Sequence, residues 1–425
     1  SQIKSALQHF DKFYPFIYSP NKWKSIRLGL LCKPRKMFLI NNACTLKTKV
    51  SENLQKYGAI NFLKNLDILE KNRNTENSDF MFLKHNVLST EFQLNEFTKS
   101  KEFVGEGIFY TRSISDSFVD YTSGNLNQEI AEKFREQLMK CKSEMLPYEN
   151  LNIPERLTVF ALPKNTIRQN FNVEYDDYSQ ASFYPIDGVS ILVVLTLNLK
   201  AGDRILDMCA APGGKTVTIL QTGLAEELVC IDASHSRIER LKRVLKEHSD
   251  LEDIAQKVSI VTGNSLQHTK YMKNYFDKVL VDVPCSSDRH AATNLGFNLF
   301  SHNNYKDRQK LFSLQHSLLK SGIDSCKIGG DIVYSTCTLS PVQNEKVVVS
   351  VINEINEQNL NFKLKIVDCQ SDFFNSHYKF KTAEKSFNDW FTSVNDNESI
   401  GQIILPNIIN NYGPGYICKL RKVSA

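Results

Sequence analysis

Residues 207–216 read DMCAAPGGKT and close the short apolar run DRIL at 203–206. The ending Gly-Gly-Lys-Thr suggests a phosphate-gripping loop. A P-loop, however, has the pattern G-x-x-x-x-G-K-[ST], because its first glycine lets the backbone fold around the phosphates. Counting back from Gly214-Lys215-Thr216, that place is held by Cys209. The pattern therefore fails at a mechanically important position, and the stretch is not the G-x-G-x-x-G dinucleotide fingerprint either. What remains is a strand ending in Asp207, a tight turn of small residues over Cys209–Gly214, and a helix. Such a turn lets backbone amides approach a ligand closely at the carboxyl end of a strand.

Reading outward, TVTILQTG (216–223) predicts a helix closed by Gly223, and LVCID (228–232) a second strand. RIERLKRVLKEH (237–248) puts Ile238, Leu241, Val244 and Leu245 on one face at helical period. KVSIVTG (257–263) and KVLVDVP (278–284) give third and fourth strands, the latter almost continuously apolar, as in a strand buried on both faces. RQKLFSLQHSLLKSGIDSC (308–326) reads as a helix and GGDIVYSTC (329–337) as a fifth strand. Ser340 as N-cap, Pro341 at the first helical position and Gln343 three residues after the cap predict the start of another helix. FKLKIV (362–367) and GPGYICKLRK (413–422) predict two last strands, paired antiparallel.

Alternating strands and helices define a doubly wound α/β domain over residues 170–425. Before it we place a basic, mainly helical region (1–71), with Leu7, Phe10, Phe13 and Tyr14 at helical spacing. An insertion rich in Asn, Ser, Thr and Glu (72–126) and a connecting segment (127–169) follow. Asp232 ends the second strand, seventeen residues after Lys215, and suits a ribose diol. A small turn with a ribose-binding acid and no diphosphate cradle fits S-adenosylmethionine better than a nucleoside triphosphate.

Composition is that of an ordinary globular chain: 425 residues, 41% hydrophobic and 23% charged, enough for one large core plus a smaller domain or arm. No apolar run is long enough to span a membrane. No targeting leader is visible at the start of the chain. The net charge is +5, concentrated at the N-terminus, where residues 1–50 hold ten Lys/Arg against Asp11 alone. Trp23 among Lys22, Lys24, Arg27, Lys33, Arg35 and Lys36 is the footprint of a chain that touches a phosphate backbone, or else a solvated basic face. Ten cysteines include no C-x-x-C pair and no zinc-type His spacing, so a structural metal is not expected. Most should be small buried hydrophobes in a reduced compartment.

Three stretches in fixed order, DMCAAPGGKT, VDVPCSSDRH (281–290) and YSTCTLSP (334–341), resemble the Nop/Sun-domain (Fmu-like) RNA cytosine-5 methyltransferases. ALQHFDKFY (6–14), WKSIRLGLL (23–31) and ILPNIINNYGPGYICKLRK (404–422) look like the family's mitochondrial member that modifies small-subunit ribosomal RNA, with the mitochondrial tRNA-modifying relative as second choice. The resemblance implies a Rossmann-like class I methyltransferase fold, a mainly parallel seven-stranded sheet with a helical N-terminal extension. It also implies S-adenosylmethionine as cofactor and RNA as substrate. A mitochondrial matrix location and a helical-repeat partner of the mitochondrial transcription-termination-factor type follow from it too.

Carbon-5 of cytosine is a poor nucleophile, so chemistry at that atom needs a thiolate added at carbon-6, and a thiol activated below its free pKa of about 8.5. By the family's pattern Cys337 is this nucleophile. Cys285 assists breakdown of the covalent product, Asp282 holds the cytosine edge, and Lys215 orients Asp282 and the base. The resemblance further implies that Cys209, Ala210, Ala211, Pro212, Gly213 and Gly214 line the methionine part of the cofactor, with Asp232 at its ribose and Arg237 nearby. After the third strand, where relatives carry an acid near the adenine amino group, this chain reads VTGNSLQ, leaving Asn264 or Ser265 to substitute. Cys230, Cys326 and Cys418 read as core, and Asp187 precedes the first strand where relatives carry an acid. Two rival readings remain at this point. A P-loop ATPase would use Lys215, Thr216 and Asp282 on phosphate and magnesium, and a noncatalytic assembly factor would keep the fold as an RNA-binding module.

Overall fold

The structure, a computed structural model, describes residues 2–64, 128–162, 171–294, 299–300, 304–358, 360–368, 392–394, 399–408 and 411–425. The expected insertion at 72–126 lies outside these residues, as does most of the loop at 369–400. In chain order the elements begin with α1 (Gln2–Tyr18), α2 (Pro20–Leu31), β1 (Met37–Ile40), α3 (Lys47–Lys56), β2 (Ile60–Asn61), α4 (Gln128–Ser143), β3 (Val159–Ala161), β4 (Phe183–Ile186) and α5 (Gly188–Thr196). Then follow β5 (Asp203–Asp207), α6 (Gly214–Thr222), β6 (Ala225–Asp232), α7 (His235–His248), α8 (Leu251–Lys257), β7 (Val258–Thr262), α9 (Ser265–His268) and β8 (Phe276–Asp282). The chain continues through α10 (Asp288–Thr293), α11 (Tyr305–Ser325), β9 (Cys326–Thr336), α12 (Glu345–Asn356), β10 (Phe362–Val367), β11 (Thr392–Val394), β12 (Gln402–Leu405) and β13 (Gly415–Ser424).

Five parallel strands form the heart of the main sheet, in the order β7-β6-β5-β8-β9. Successive strand residues alternate between its two faces, as the period of two requires. Leu206, Val229, Ile231, Val279, Val281, Ile332 and Tyr334 join one apolar cluster with α1, α2, α11 and α12. Ile205, Leu228, Cys230, Leu280 and Val333 join another with α5, α6 and α7. Being covered on both sides is why these strands read as continuous apolar runs. Cys230, Cys326 and Cys418 are fully buried, as expected for core thiols.

The sheet differs from the expected seven strands, having nine among the described residues. The ten-residue β13 pairs antiparallel with β9 on one edge, while its outer edge takes β12 near Gly415–Ile417 and β10 along Lys419–Ser424. A second, four-stranded antiparallel sheet, β2-β3-β1-β4, was not foreseen. Its strands are two to four residues long, below the length at which alternation registers, and its members lie far apart in sequence. Through Met37↔Ile186 it fastens the N-terminal region beside the entrance to α5.

The basic N-terminal cluster also resolves differently. Trp23 is buried at 4% exposure among Phe10 and Tyr14, and its Nε1 donates to Asp11 Oδ1 at 3.0 Å. Arg27 pairs with the same carboxylate at 2.7 Å, and Arg35 donates to the Leu162 carbonyl. Trp23 is thus a core aromatic, on the buried face of α2 with Ile26 and Leu30 at helical spacing. The predicted helix start at Ser340 is a further correction, since α12 begins at Glu345. Residues 340–344 instead fold back: the Gln343 carbonyl accepts from Tyr334 Oη at 2.6 Å, and Asn344 Oδ1 accepts from Thr336 Oγ1 at 2.6 Å. The Gln343 backbone carbonyl and the Asn344 side chain are thereby engaged by the strand end beside them.

Candidate active site

Chain order runs outward from β5 through β6 to β7, then returns to place β8 on the other side of β5. This switch point opens a crevice at the carboxyl ends of β5 and β8, the general ligand position of open α/β sheets. DMCAAPGGKT turns there. Gly213 has φ +111°, a left-handed conformation that an L side chain resists, and leads into α6. A Cβ on Gly214 would stand 3.3 Å from the Tyr184 ring, so the turn passes close beneath β4. Between them lies a cavity of about 180 Å³, walled by Cys209–Pro212, Gly214 and Lys215 on one side and Tyr184–Asp187 on the other, with Asp207 and Asp282 at its floor.

Lys215 Nζ donates to Asp282 Oδ2 at 2.7 Å, so these two expected site residues do meet. Burial works against the lysine's charge, but the Asp282 carboxylate outweighs it and holds the ammonium above its ordinary range. The second Asp282 oxygen accepts from Ser335 Oγ at 2.6 Å, a positioning partner the sequence reading passed over although Ser335 adjoins STC.

Cys285 and Cys337 come from loops after neighbouring strands, β8 and β9, and their sulfurs lie 3.1 Å apart. The Cys337 backbone N–H donates to Cys285 Sγ at 3.3 Å, and Ser287 Oγ lies 3.2 Å from Cys337 Sγ. Cys337 is exposed and Cys285 half-buried. The hydrogen bond from Cys285 lowers the Cys337 thiol below its ordinary value, with help from Ser287 and Lys215 and against burial and Asp282. The hydrogen bond between the two sulfurs, together with burial, raises Cys285 well above its ordinary value, while the Cys337 N–H and Ser287 work the other way. The pair is thus asymmetric, with Cys337 the more readily ionised thiol. The helix beyond Ser340 takes no part in this, because α12 starts eight residues after Cys337.

Both thiol loops are held by one buried carboxylate. Asp288 Oδ1 accepts from Ser286 Oγ and Thr338 Oγ1, each at 2.9 Å. Its Oδ2 accepts from the Leu339 backbone N–H at 2.8 Å and from Tyr14 Oη at 2.6 Å. Tyr18 Oη adds a bond to the Leu339 carbonyl at 2.7 Å, so α1 braces the same loop. Gln343 links Ser286 to Gln315 of α11. Such second partners cannot be found by motif spacing, since Tyr14 and Asp288 are 274 positions apart.

On the cofactor side, Asp232 is 3% exposed and sits behind the cavity wall. It accepts from the Ala211 N–H at 3.2 Å and the Ser234 N–H at 3.0 Å. Arg237 donates to the Ala211 carbonyl and approaches Asp232 at 3.5 Å. Asn264 Oδ1 caps α9 at Leu266 N, 3.0 Å, and Ser265 Oγ donates to the Met208 carbonyl at 2.5 Å. The structure thus gathers Asp232 and Arg237 next to the turn, while the Ser265 hydroxyl is already engaged with β5. Asp187, also at the cavity, caps α5 by accepting from the Val189 N–H at 2.9 Å. Asp207 is 1% exposed with Oδ1 unpartnered, and burial pushes its carboxyl up to about 7.

A parallel sheet with a small-residue turn at its switch point, an acid ending the next strand and no phosphate cradle defines a class I S-adenosylmethionine-dependent methyltransferase. The close-fitting turn, the orphan carboxylate oxygen of Asp207 and the neighbouring Asp232 fit that cofactor's amino-acid and ribose parts. The sequence profile of 16S rRNA methyltransferase RsmB/F matches residues 194–386. The mouse protein called 5-cytosine rRNA methyltransferase NSUN4 is 34% identical over 296 residues, 69% of this chain and 74% of its own. The Caenorhabditis elegans protein called 5-cytosine rRNA methyltransferase nsun-4 is 30% identical, covering 98% and 91%. A crystal structure of NSun6 from Pyrococcus horikoshii with SFG shares the fold at TM-score 0.51 and 18% identity, covering 98% of each chain. The chain belongs to this Sun-domain RsmB/F family and is an S-adenosylmethionine-dependent RNA cytosine-5 methyltransferase.

Proposed function

We propose that this enzyme methylates carbon-5 of a cytosine in mitochondrial small-subunit ribosomal RNA, with Cys337 as nucleophile and Cys285 as the thiol that releases the product. The observation that carries the assignment is the pair of sulfurs 3.1 Å apart beside the Lys215–Asp282 pair. The Cys337 thiolate adds to carbon-6 of the base, and Asp282, positioned by Lys215 and Ser335, holds the cytosine edge around nitrogen-3. This addition makes carbon-5 nucleophilic. S-adenosylmethionine supplies the electrophilic methyl group. Cys285 then takes the proton from carbon-5, the electron pair of that C–H bond re-forms the double bond between carbon-5 and carbon-6, and Cys337 leaves carbon-6 as its thiolate. The target must leave its stack to reach these loops, so a loop or flipped nucleotide is the substrate form.

The ribosomal reading draws on relatives named as rRNA enzymes that align along nearly the whole chain. Similarity to a Danio rerio protein named tRNA (cytosine(34)-C(5))-methyltransferase, mitochondrial spans only 57% of it. With Trp23 buried in the fold and Arg27 paired with Asp11 at the surface, the N-terminal region offers fewer RNA contacts than its charge suggests. A helical-repeat partner of the mitochondrial transcription-termination-factor type supplies the remaining affinity. Methyl-labelled cofactor incubated with organellar RNA, followed by bisulfite mapping with and without the protein, tests the proposal. Transfer confined to tRNA, or no transfer even with the partner present, would overturn it.

A further inference from the structure

The amino-acid end of S-adenosylmethionine carries a carboxylate and an ammonium, and a site that recognises it needs one group of each opposite charge. The cavity beneath β4 offers both. Asp207, fixed through Oδ2 by Thr216 Oγ1 at 2.9 Å, leaves Oδ1 without a partner at 1% exposure. Across the cavity stands Lys36, half-buried in its wall. Because Met37 pairs with Ile186, Lys36 falls opposite Asp187 at the rim. Asp187 spends Oδ1 on the Val189 and Gly413 N–H groups, and among the described residues Lys36 makes no ion pair or hydrogen bond. The other lysine in the wall, Lys215, is already engaged by Asp282 at 2.7 Å.

We propose that Lys36 binds the cofactor's α-carboxylate while Asp207 binds its α-ammonium, so that the N-terminal region completes the cofactor pocket. Lys36 then belongs to the cofactor rather than to the basic RNA-facing cluster in which its neighbours Lys22, Lys24 and Lys33 lie. This rests on the cofactor assignment and adds to it the residue that reads the carboxylate.

Calorimetry separates the two groups, using S-adenosylhomocysteine and its decarboxylated analogue, which keeps the amine. Lys36→Met is expected to weaken S-adenosylhomocysteine roughly 10- to 100-fold, the loss typical of a charge-assisted hydrogen bond. It should leave the decarboxylated analogue bound as by the wild type. Asp207→Asn should weaken both ligands alike, and thermal melts without ligand establish that each variant is folded. Equal binding of S-adenosylhomocysteine by wild type and Lys36→Met would overturn the proposal. So would a Lys36→Met loss that is the same for both ligands. Unchanged ligand binding with a shallower salt dependence of RNA binding would reassign Lys36 to a phosphate. A wild-type protein that bound neither ligand would overturn the cofactor assignment and this proposal with it.

Discussion

Cys337 and Cys285 differ in proton affinity although both are thiols on adjacent loops: the hydrogen bond they share lowers Cys337 and raises Cys285, and burial raises Cys285 further. Iodoacetamide at neutral pH should therefore label Cys337 well before Cys285, read by peptide mass spectrometry, and equal rates would remove the basis for their separate roles. Cys337→Ser should abolish transfer, whereas Cys285→Ala should accumulate a protein–RNA adduct visible as a shifted band in denaturing gels. Asp207 gives a pH signature. Burial pushes its folded-state carboxyl up to about 7, above its ordinary value of 3.8, so it contributes stability present below about pH 4 and lost as pH rises towards 7. Relative to Asp207→Asn, the ligand-free wild type should lose a few kcal/mol across that window in urea unfolding. A constant difference between the two would show that folding does not raise the carboxyl's proton affinity. Most of the residues that meet here were legible in sequence, because Asp282, Cys285 and Cys337 each lie at or just past a strand end and Lys215 opens the helix after the small-residue turn. Ser335, Ser287 and Asp288 were not read, since each acts through a partner brought close only by folding, and Lys36 was read only as one of the basic cluster.

At the scale of elements, the parallel strands and α6 and α7 declared themselves through apolar runs and helical period. The short strands β1–β4 did not, as two to four residues carry too little pattern. The start of α12 was misread because Ser340, Pro341 and Gln343 suit a cap locally, while tertiary bonds to Tyr334 and Ser286 win. Helix α1 meets the loop after β9 through Tyr14 and Asp288. Tyr14→Phe should cost about 1–2 kcal/mol in denaturant unfolding, the price of one buried charged hydrogen bond. It should also slow methylation while leaving S-adenosylhomocysteine affinity unchanged, since the thiol loops move and the cofactor turn does not. Helix α2 packs its Gly29 so closely that an added Cβ would stand 2.7 Å from the backbone of Pro406 and Asn407. Backbone cannot yield as a side-chain tip can, so Gly29→Ala should lower stability by roughly 1–3 kcal/mol. An unchanged melting temperature would mean that the C-terminal segment is not seated on α2 in solution.

For the whole molecule, the α/β class and its catalytic turn followed from sequence because local periodicity and motif position agree. The closing of the sheet did not, because β13 shares one edge between β10 and β12 from distant parts of the chain. Arg289 shows what this distance entails. Its guanidinium donates to the carbonyls of Gly29, Leu30 and Cys32 at the end of α2, to the Gly413 carbonyl, and to Asn411 Oδ1. The middle of the chain thus holds its beginning and its end in one knot. During synthesis the first helices emerge long before residue 413 exists, and the loop bearing Asp288 and Cys285 cannot be fully braced until the last stretch has left the ribosome. An enzyme built this way closes this knot only once residues 411–413 have been made, and a chain cut short before them lacks the Asn411 and Gly413 partners of Arg289.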